Sequence, residues 1–463
     1  METPECPGCR ALQARVLELE AQVLALQTQL RDVMDKLKPP TSQTPKALPP
    51  GPGKKSTGKK PGGQPGHPPR LKSWLPPERL SKVVTHVPKQ CRTCAEPLPA
   101  QAQPNDPPPT IHQTAELPPH FAEVTQHEGH TRICACCGTV NVETIPAAVR
   151  VSTLGPRLLG FMSYLVGVQG ISKRSVEEIL ETAAGVPIAL GTIAHAEREV
   201  CEALATPYQE VRQAVADAEV KGVDETGWKE AGRKRWLWVA ATMTAVVFLI
   251  HPRRSIDGLK LLLGDLGGFF QSDRWSVYLE HLPAHRHQLC WAHLKRNWEK
   301  KAERSAKAKR LAQRWFALHE TVFTLWHRFK NGEFDRDSLQ RRMTPSMAAL
   351  TALYDEGSRS RDGVLARFCV RLGEAVERHW LFVLEEGVEP TNNQAERVQR
   401  RAVLWRRRSF GCHSAEGCRF VERLLTVVET LKLQKRNVLD YLEQAIAAQR
   451  HHKPCPQLLT GKG

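Results

Sequence analysis

Two apolar segments in the middle of the chain each run directly into an aspartate, and this arrangement constrains the fold most strongly. Residues 220–223 precede Asp224, and residues 269–272 precede Asp273. The segment 235–250 between them is rich in β-branched and aromatic residues around a short Thr-Met-Thr turn, which predicts two further strands. We therefore expect a sheet of strands followed by helices, with both aspartates at strand ends.

A third acidic residue, Glu396, follows the segment Pro-Thr-Asn-Asn-Gln-Ala and lies just inside a predicted helix. Carboxylates from two strand ends and one helix are the hard oxygen ligands that a pair of divalent cations requires. Each acid also has a structural alternative. Aspartate favours turns at strand ends, and Glu396 suits a capping box begun by Asn393 or an ion pair with Arg400.

The charge balance predicts a polyanionic partner. The chain has 463 residues, enough for two to four domains, and carries 66 Lys+Arg against 49 Asp+Glu, a formal net charge of +17. Nucleic acid fits this charge, although an anionic membrane surface would attract it too. The longest apolar stretch, residues 236–250, is too short to span a bilayer, and the N-terminus lacks the pattern of a signal peptide. We expect a cytoplasmic protein with no membrane partner.

The first 38 residues predict a leucine-zipper-like coiled coil. Apolar residues recur there at alternating spacings of four and three, the pattern of an a/d seam. A single amphipathic helix packed on its own domain is the alternative, but it tolerates a less regular stripe. Self-association as a homo-oligomer follows from the first interpretation. The seam consists of Leu12, Val16, Leu19, Val23, Leu26, Leu30, Val33 and Leu37.

Residues 39–77 predict a basic linker. They contain twelve prolines, six glycines and no acidic residue, a composition that cannot bury enough apolar surface to fold alone. Lys59 and Lys60 are candidate contacts to a phosphate backbone or a minor groove. A solvated spacer with incidental charge is the alternative.

Residues 78–148 predict a structural zinc site. Two Cys-x-x-Cys pairs, Cys91 with Cys94 and Cys134 with Cys137, offer four thiolates for one tetrahedral ion, as in zinc ribbons. Cys136 is then a spare or an alternative ligand, and buried free thiols are the alternative to zinc. Because the two pairs are far apart in sequence, a histidine substitute also remains open, from His112, His120, His127 and His130.

Residues 150–212 predict a helical region. Ser175 suits a helix start, with Glu178 completing a capping box, and Gly185 with Pro187 breaks the helix before it resumes near Leu190. A helix, a short turn and a second helix match a helix-turn-helix, which binds DNA in many proteins. Plain helical packing is an equal alternative, since the second helix has few side chains suited to reading bases.

The remaining segments complete a multidomain α+β protein. Asp273 and Glu396 are 123 residues apart, so the predicted catalytic domain at 213–430 contains a helical insertion at about 300–385. A C-terminal helix and tail follow at 431–463. Several arginines follow Glu396 and are candidate phosphate contacts, with a solvated basic face as the alternative. Those assigned to DNA binding are Arg397, Arg400 and Arg401.

These motifs together resemble a transposase of the bacterial insertion-sequence family numbered sixty-six. The resemblance implies an RNase H-like α/β core in which Asp224, Asp273 and Glu396 form a D-D-E triad for two Mg²⁺ or Mn²⁺ ions. Two departures stand out: Arg274-Trp275, where the family usually has Gly-Tyr, and Leu289, where a small residue is common. The matching segments are 61–67, the cysteine pairs, 224–226, 272–273, 290–293 and 390–397.

The mechanism implied by this resemblance is in-line attack at a phosphodiester without a covalent protein intermediate. The implied partners are double-stranded DNA, both as transposon ends and as target, and possible helper proteins. Two other functions remain open: an RNase H-like nuclease or resolvase, and a non-catalytic DNA-binding regulator derived from a transposase.

Two residue groups near the triad stay outside the predicted metal site. Glu225 adjoins Asp224, but successive side chains of a strand point to opposite faces, so we assign it no metal. Cys290 and His293 lack a second ligand pair and give only a weak zinc signal. We expect them to pack near the acids, with His293 beside the scissile phosphate as an alternative role.

Overall fold

The computed structural model describes residues 75–459, apart from 102, 105 and 151, together with the single helical residue Gln22. The chain divides into two units, residues 1–115 and residues 116–463. The predicted coiled coil, except Gln22, and the linker up to residue 74, with Lys59 and Lys60, lie outside the described residues. None of the described helices is long and apolar enough to cross a bilayer.

The described part of the first unit, residues 75–115, has little regular structure. It contains one turn of 3₁₀-helix at Pro77–Arg79 and a bridge between Gln90 and Pro97 that closes the loop around Cys91 and Cys94.

The second unit begins with a small hairpin and a helical region. The hairpin pairs β1 (Thr131–Ile133) with β2 (Val140–Val142) in antiparallel fashion. Single turns of π-helix at Tyr164–Val168 and Leu180–Ala184 extend two of the helices that follow. These helices are α1 (Ala147–Arg150), α2 (Pro156–Ser163), α3 (Lys173–Ile179), α4 (Leu190–Ala203) and α5 (Ala205–Asp217).

The start of α3 differs from the prediction, which placed the N-cap at Ser175. The cap is Ser172, whose extended backbone lets its hydroxyl accept a hydrogen bond from the Ser175 backbone N–H. Ser175 therefore lies inside the first turn, because the earlier serine already satisfies that free donor. The turn between α3 and α4 begins at Gly185, which has a positive φ of 70° and lies against the His120 ring.

A five-stranded mixed sheet forms the centre of the second unit, in the order β5-β4-β3-β6-β7. Strands β3, β4 and β5 are mutually antiparallel, whereas β6 runs parallel to β3, and β7 runs parallel to β6. The strands are β3 (Val220–Glu230), β4 (Arg233–Ala241), β5 (Val246–His251), β6 (Phe269–Ser272) and β7 (His287–Leu289).

The two aspartates occupy different places on their strands. Asp273 directly follows β6, as predicted, but Asp224 lies inside β3, so the prediction that a strand ends there is wrong. β3 continues because the Ala231-Gly232 turn, where both residues have positive φ, allows its polar end to pair with β4. The parallel pairing with β6, however, stops at Gly222. Asp224 therefore lies where the parallel part of the sheet opens.

The remaining helices cover the sheet and form a second core. In chain order they are α6 (Ile256–Leu263), α7 (Ser276–His281), α8 (Trp291–Ala302), α9 (Ala306–Lys330), α10 (Arg336–Ser358), α11 (Gly363–Gly373), α12 (Leu381–Leu384), α13 (Asn393–Ser409), α14 (Ala415–Leu433) and α15 (Val438–Arg450). Helices α9 to α12 occupy the segment where the sequence predicts an inserted helical subdomain. They share a core with α8 that is built around Trp291, Trp298 and Trp315.

Hydrogen bonds from α14 and α5 satisfy the outer edge of the sheet. Thr426 and Thr430 accept hydrogen bonds from the backbone N–H groups of Phe248 and Val246 on β5. Tyr208 on α5 donates its hydroxyl to the Phe248 carbonyl. An open edge strand would present these groups to another chain, so the contacts close one side of the sheet. The candidate site lies elsewhere in the sheet, on β3 and at the end of β6.

Candidate active site

Asp224 lies on the central strand and is half-buried. Its Oδ1 accepts a hydrogen bond of 2.9 Å from the Glu225 backbone N–H. Burial raises the pKa of the Asp224 carboxyl well above its usual value, and repulsion from Glu225, Asp273 and Glu396 raises it further. No lysine, arginine or histidine in the described part of the chain forms an ion pair with it. The carboxylate is thus surrounded by like charge and has no positive partner.

Asp273 is held in a tight turn at the end of β6. Its Oδ1 accepts a hydrogen bond of 2.9 Å from the Trp275 backbone N–H, directly before α7. The Ser272 hydroxyl donates to the Asp273 backbone carbonyl at 2.7 Å. The turn therefore fixes the backbone of Asp273 and one carboxylate oxygen.

Glu396 lies in the first turn of α13 and has basic neighbours. Its Oε1 is 3.1 Å from His293 Nδ1, and both of its carboxylate oxygens are 3.3 Å from Arg296 Nη2. Burial lowers the pKa of His293, although the negative charge of Glu396 acts in the opposite direction. Neither structural alternative for Glu396 is present among the described residues: it forms no ion pair with Arg400, and α13 starts after Asn392 without a side-chain cap, so there is no capping box.

Cys290 joins Glu396 and His293 in a compact group. One potential ligand atom from each of the three lies within 4.8 Å of the others, and this is the only such group of three within residues 75–459. The Cys290 thiol is buried and lies 3.9 Å from Glu396 Oε1. Sequence reasoning missed the third member because 106 residues separate Glu396 from Cys290.

The three predicted acids are electrostatic neighbours but do not form a closed ligand set. The charges of Asp273 and Glu396 act on Asp224, whereas Glu396 turns towards His293 and Arg296. The donor set nevertheless fits divalent cations, since it offers three half-buried carboxylates, and the central one, Asp224, has no ion-pair partner among the described residues. A cation there would relieve the repulsion that raises the Asp224 pKa.

Asn392 fixes the start of α13 against the central strand. Its Nδ2 donates to the Val223 carbonyl at 2.8 Å, and its backbone N–H donates to Cys290 Sγ at 3.2 Å. Gly222 is required opposite it, because a Cβ there would lie 2.3 Å from Asn392 Oδ1. One buried side chain thus connects the strand of Asp224 to the helix of Glu396.

Gln271 makes a second connection, between β6 and the segment before α13. Its Nε2 donates to the backbone carbonyls of Glu389 and Thr391, at 2.6 and 3.2 Å. Since Gln271 is two residues before Asp273, the strand that carries the second acid is tied to the segment that carries the third. Neither residue was a predicted site residue, although Asn392 lies inside the matching segment 390–397 and Gln271 directly precedes the segment 272–273.

Glu225 belongs to a separate buried network. It pairs with Arg254, whose Nε lies 2.7 Å from Glu225 Oε1, and accepts a short hydrogen bond from the Tyr278 hydroxyl. The Arg254 guanidinium lies 4.3 Å from the centre of the Trp275 ring, which packs edge-on against Tyr278. Glu225 thus has positive and hydrogen-bonding partners that Asp224 lacks. Trp275, one of the departures from the family pattern, supports this network.

Only part of the predicted arginine tract faces outward. Arg397 and Arg400 are exposed on α13. Arg401 instead pairs with Glu429 and donates to the Val168 carbonyl at 3.1 Å. Its guanidinium is therefore engaged within the protein and is turned away from the face that carries the other two.

The two cysteine pairs have the same local geometry, each within its own unit. In each pair the first cysteine accepts a backbone hydrogen bond from the residue four positions on and donates to the residue five positions on. The residue four positions after the first cysteine has a positive φ in both loops; these residues are Ala95 and Gly138. Hydrogen bonds from Cys94 and Thr93 lower the pKa of Cys91 to about 7. Their assignment to one zinc ion stays a prediction.

Comparison with known proteins identifies the family. A model described as Transposase IS66 family matches residues 152–419, more than half of the chain and all three acids. The uncharacterized protein y4qI of Sinorhizobium fredii (strain NBRC 101917 / NGR234) is 24% identical over 241 residues. That match covers 46% of this chain and 43% of the relative, so the chain spans less than half of the relative's length. On the strength of the family match, this chain belongs to the IS66 family of transposases.

Proposed function

We propose that this protein is a D-D-E transposase that binds the ends of its DNA element and catalyses metal-dependent cleavage and strand transfer. The observation that carries the proposal is the Asp224 carboxylate. It is half-buried on the central strand, repelled by Glu225, Asp273 and Glu396, and has no positive partner among the described residues. A group in this state is suited to bind cations, and the family match covers all three acids.

The sheet supports an RNase H-like core. Three antiparallel strands are extended on one side by two strands parallel to the first of them. Asp224 lies on the middle strand, Asp273 follows the neighbouring parallel strand, and Glu396 lies on the helix that packs on β3 and β4. This order brings acids from distant parts of the sequence to one region of the sheet.

Each acid has a distinct role in the proposed site. Asp224 is our choice for the ligand shared by two Mg²⁺ or Mn²⁺ ions, because its position is central, and Asp273 and Glu396 each complete one side. When bound, the ions supply an activated attacking oxygen and neutralise charge on the leaving oxygen. The Asn392 and Gln271 hydrogen bonds hold the elements that carry the three acids in position.

His293 and Arg296 orient Glu396 in the proposed site. Arg296 is 52% exposed, so its side chain can release the carboxylate and contact a phosphate oxygen of bound DNA. His293 is more buried and stays beside Glu396, where its ring lies within reach of a phosphate at the acids. Both residues thus bring positive or hydrogen-bonding groups to the Glu396 side of the site.

The other parts of the chain suit DNA binding. We propose that Cys91, Cys94, Cys134 and Cys137 hold one structural zinc ion, and that Arg397, Arg400, Lys59 and Lys60 contact phosphates. Pairing of two element ends requires more than one copy of the chain, and the predicted coiled coil would supply the association. The double-stranded ends and the target are the proposed partners.

A cleavage assay tests the proposal. The full chain and its Asp224→Asn variant are incubated with end-labelled DNA that carries the terminus of the protein's own element, with Mg²⁺ or Mn²⁺. We expect metal-dependent cleavage at the element boundary, its loss in Asp224→Asn, and retained DNA binding in that variant. Asp265→Asn, a change at an exposed aspartate before β6, is the matched control and should cleave normally.

Each other outcome identifies a different function. Cleavage without joining of ends favours a nuclease or resolvase, and specific binding without cleavage by either protein favours a regulator. Equal loss of binding and cleavage in Asp224→Asn would mean that Asp224 maintains structure, and the proposed metal role would be abandoned.

A further inference from the structure

We propose that Phe410 inserts its ring between bases of the bound DNA, about six base pairs from the site of cleavage. The inference rests on the proposed function and deepens it, because it adds a contact to bases where the predicted contacts reach only phosphates. It is carried by the conformation of Phe410, by its surroundings and by its distance from the acids.

Phe410 has an unusual combination of conformation and exposure. It ends α13 in the left-handed region, with φ 58° and ψ 15°, and its N–H donates to the Arg406 carbonyl at 2.9 Å. Glycine adopts this conformation without strain, whereas a bulky side chain rarely does. The phenyl ring is nevertheless 78% exposed, so burial within the described protein does not compensate for the strain. Strained, exposed residues of this kind indicate a functional contact.

The backbone beside Phe410 is fixed. Gly411 follows with φ 108°, and a Cβ at that position would lie 2.2 Å from the Lys229 carbonyl. The Cys412 N–H donates to the same carbonyl at 2.9 Å, and the Ala231 N–H donates to the Cys412 carbonyl at 2.8 Å. The end of α13 is thereby tied to the β3–β4 turn. Phe410 projects from a rigid tip, and a rigid side chain loses little freedom when it inserts into a stack of bases.

The surroundings of the tip select a polyanion as the partner. Most exposed charges near Phe410 are positive, with Glu416 at the start of α14 as the acidic exception, and Glu230 is neutralised by Arg235. A protein interface is depleted of charge at its centre, and a second copy of this surface would bring like charges together. A DNA backbone on either side of the ring satisfies these cations. They are Arg407, Lys229, Arg233 and Lys234.

Two elements give the same distance from the acids to the tip. Fourteen residues of α13 separate Glu396 from Phe410, which is about 21 Å at 1.5 Å per residue. Along β3, Asp224 is six residues from Glu230, which bridges to Cys412, and this is about 20 Å. At 3.4 Å per base pair, both correspond to about six base pairs. Arg397, Arg400 and Arg407 lie on the exposed face of the helix between the two points.

Fluorescence of 2-aminopurine tests the insertion directly. The base is placed in turn at each of the first ten positions from the cleavage site in duplex element-end DNA. The full chain carries Asp224→Asn to prevent cleavage during the measurement. We expect a rise in fluorescence at one position about six base pairs from the cleavage site, because the inserted ring unstacks that base. No rise at any position with bound protein overturns the proposal.

Variants at Phe410 separate stacking from structure. Phe410→Gly removes the ring and the strain, so it should unfold at the same temperature or slightly above while affinity falls about tenfold. Phe410→Trp should keep both the affinity and the fluorescence rise. Leu261→Ala, which removes a 51% exposed apolar side chain from α6, should change neither. The salt dependence of binding should stay unchanged in Phe410→Gly, since no ionic contact is lost.

The outcomes distinguish this inference from the proposed function. If the protein binds and cleaves element ends and Phe410→Gly equals the wild type in affinity and fluorescence, only the insertion is refuted. If Phe410→Gly instead lowers the association state in sedimentation, the ring contacts another protein copy, and the proposal is also overturned. If the wild type neither binds nor cleaves element ends, both proposals fail.

Discussion

Replacing Asn392 with alanine should separate the stability of the protein from the alignment of its acids. The side chain is 1% exposed, and its only hydrogen bond in the described structure runs from Nδ2 to the Val223 carbonyl at 2.8 Å. Its Oδ1 has no partner among the described residues. The change therefore removes one buried hydrogen bond, while the backbone bond from Asn392 to Cys290 remains.

The expected magnitudes follow from that one contact. A buried carbonyl that loses a partner costs about 1–3 kcal/mol of unfolding free energy. Taking about 2 kcal/mol, the unfolding temperature should fall by roughly 3 °C in a unit that spans residues 116–463. Cleavage should fall much further, because Glu396 is one turn along the helix that this contact anchors. A displacement of about 1 Å in a reacting group can cost roughly a hundredfold in rate.

The assay compares Asn392→Ala with Asn393→Ala, which changes the exposed next residue. Both are measured for thermal unfolding, for affinity towards element-end DNA and for cleavage with Mg²⁺. We expect Asn393→Ala to stay within about 0.5 kcal/mol of the wild type in stability. Both variants should bind DNA, and only Asn392→Ala should lose most of its cleavage. Wild-type cleavage by a destabilised Asn392→Ala would refute the view that this contact aligns Glu396.

Two further predictions concern protonation and zinc. Burial raises the pKa of Glu422 to about 7, so between about pH 4.5 and 7 the folded state holds a proton that the unfolded state has released. The free energy of unfolding should therefore fall by about 3 kcal/mol as the pH rises through this range. Glu422→Gln can still accept the Ile250 N–H bond and should flatten that pH dependence in urea titrations, whereas an unchanged slope would assign it to other groups. The purified chain should contain one zinc per copy by elemental analysis, and Cys134→Ser should lower the content while Cys136→Ser leaves it unchanged. Equal zinc loss in both variants would contradict the assigned ligand set.

The elements that could be predicted from sequence are those whose signals are local. The apolar run before Asp273 ends where the chain turns into α7, so both the strand and its end were predictable. The sequence predicts strand β3 too short because Lys229 and Glu230 give its outer part the polarity of a loop. That part forms a strand because it pairs with β4 across a tight turn. Backbone pairing of this kind does not require apolar side chains, so the sequence shows no alternation of apolar residues there.

The arrangement of the site depended on contacts that sequence spacing does not encode. The sequence around Cys290 and His293 contains no third ligand candidate, and the fold supplies one in Glu396, which is 106 residues away from Cys290 in the chain. Arg401 was assigned to DNA as one arginine among several, and its pairing with Glu429 follows only from the packing of α13 on α14. Asn392 lay inside a recognised motif, but its bond to Val223 required the helix to lie against the central strand.

Helix α13 explains why the number of arginines overstates the basic surface beside the acids. Six arginines follow Glu396 on this helix, but Arg401, Arg406 and Arg408 donate to carbonyls of the protein itself. Three remain for phosphates, namely Arg397, Arg400 and Arg407, and their spacing places them on one exposed face. At about 0.9 per phosphate contact, this face would contribute about 3 to the salt dependence of DNA binding rather than about 5. Arg401, Arg406 and Arg408 bond the helix to its neighbours, although Arg408 is itself exposed, and Arg397, Arg400 and Arg407 lie along the helix between Glu396 and Phe410. A single helix thus carries both the acid that we propose to be catalytic and the arginines that we propose to follow the DNA.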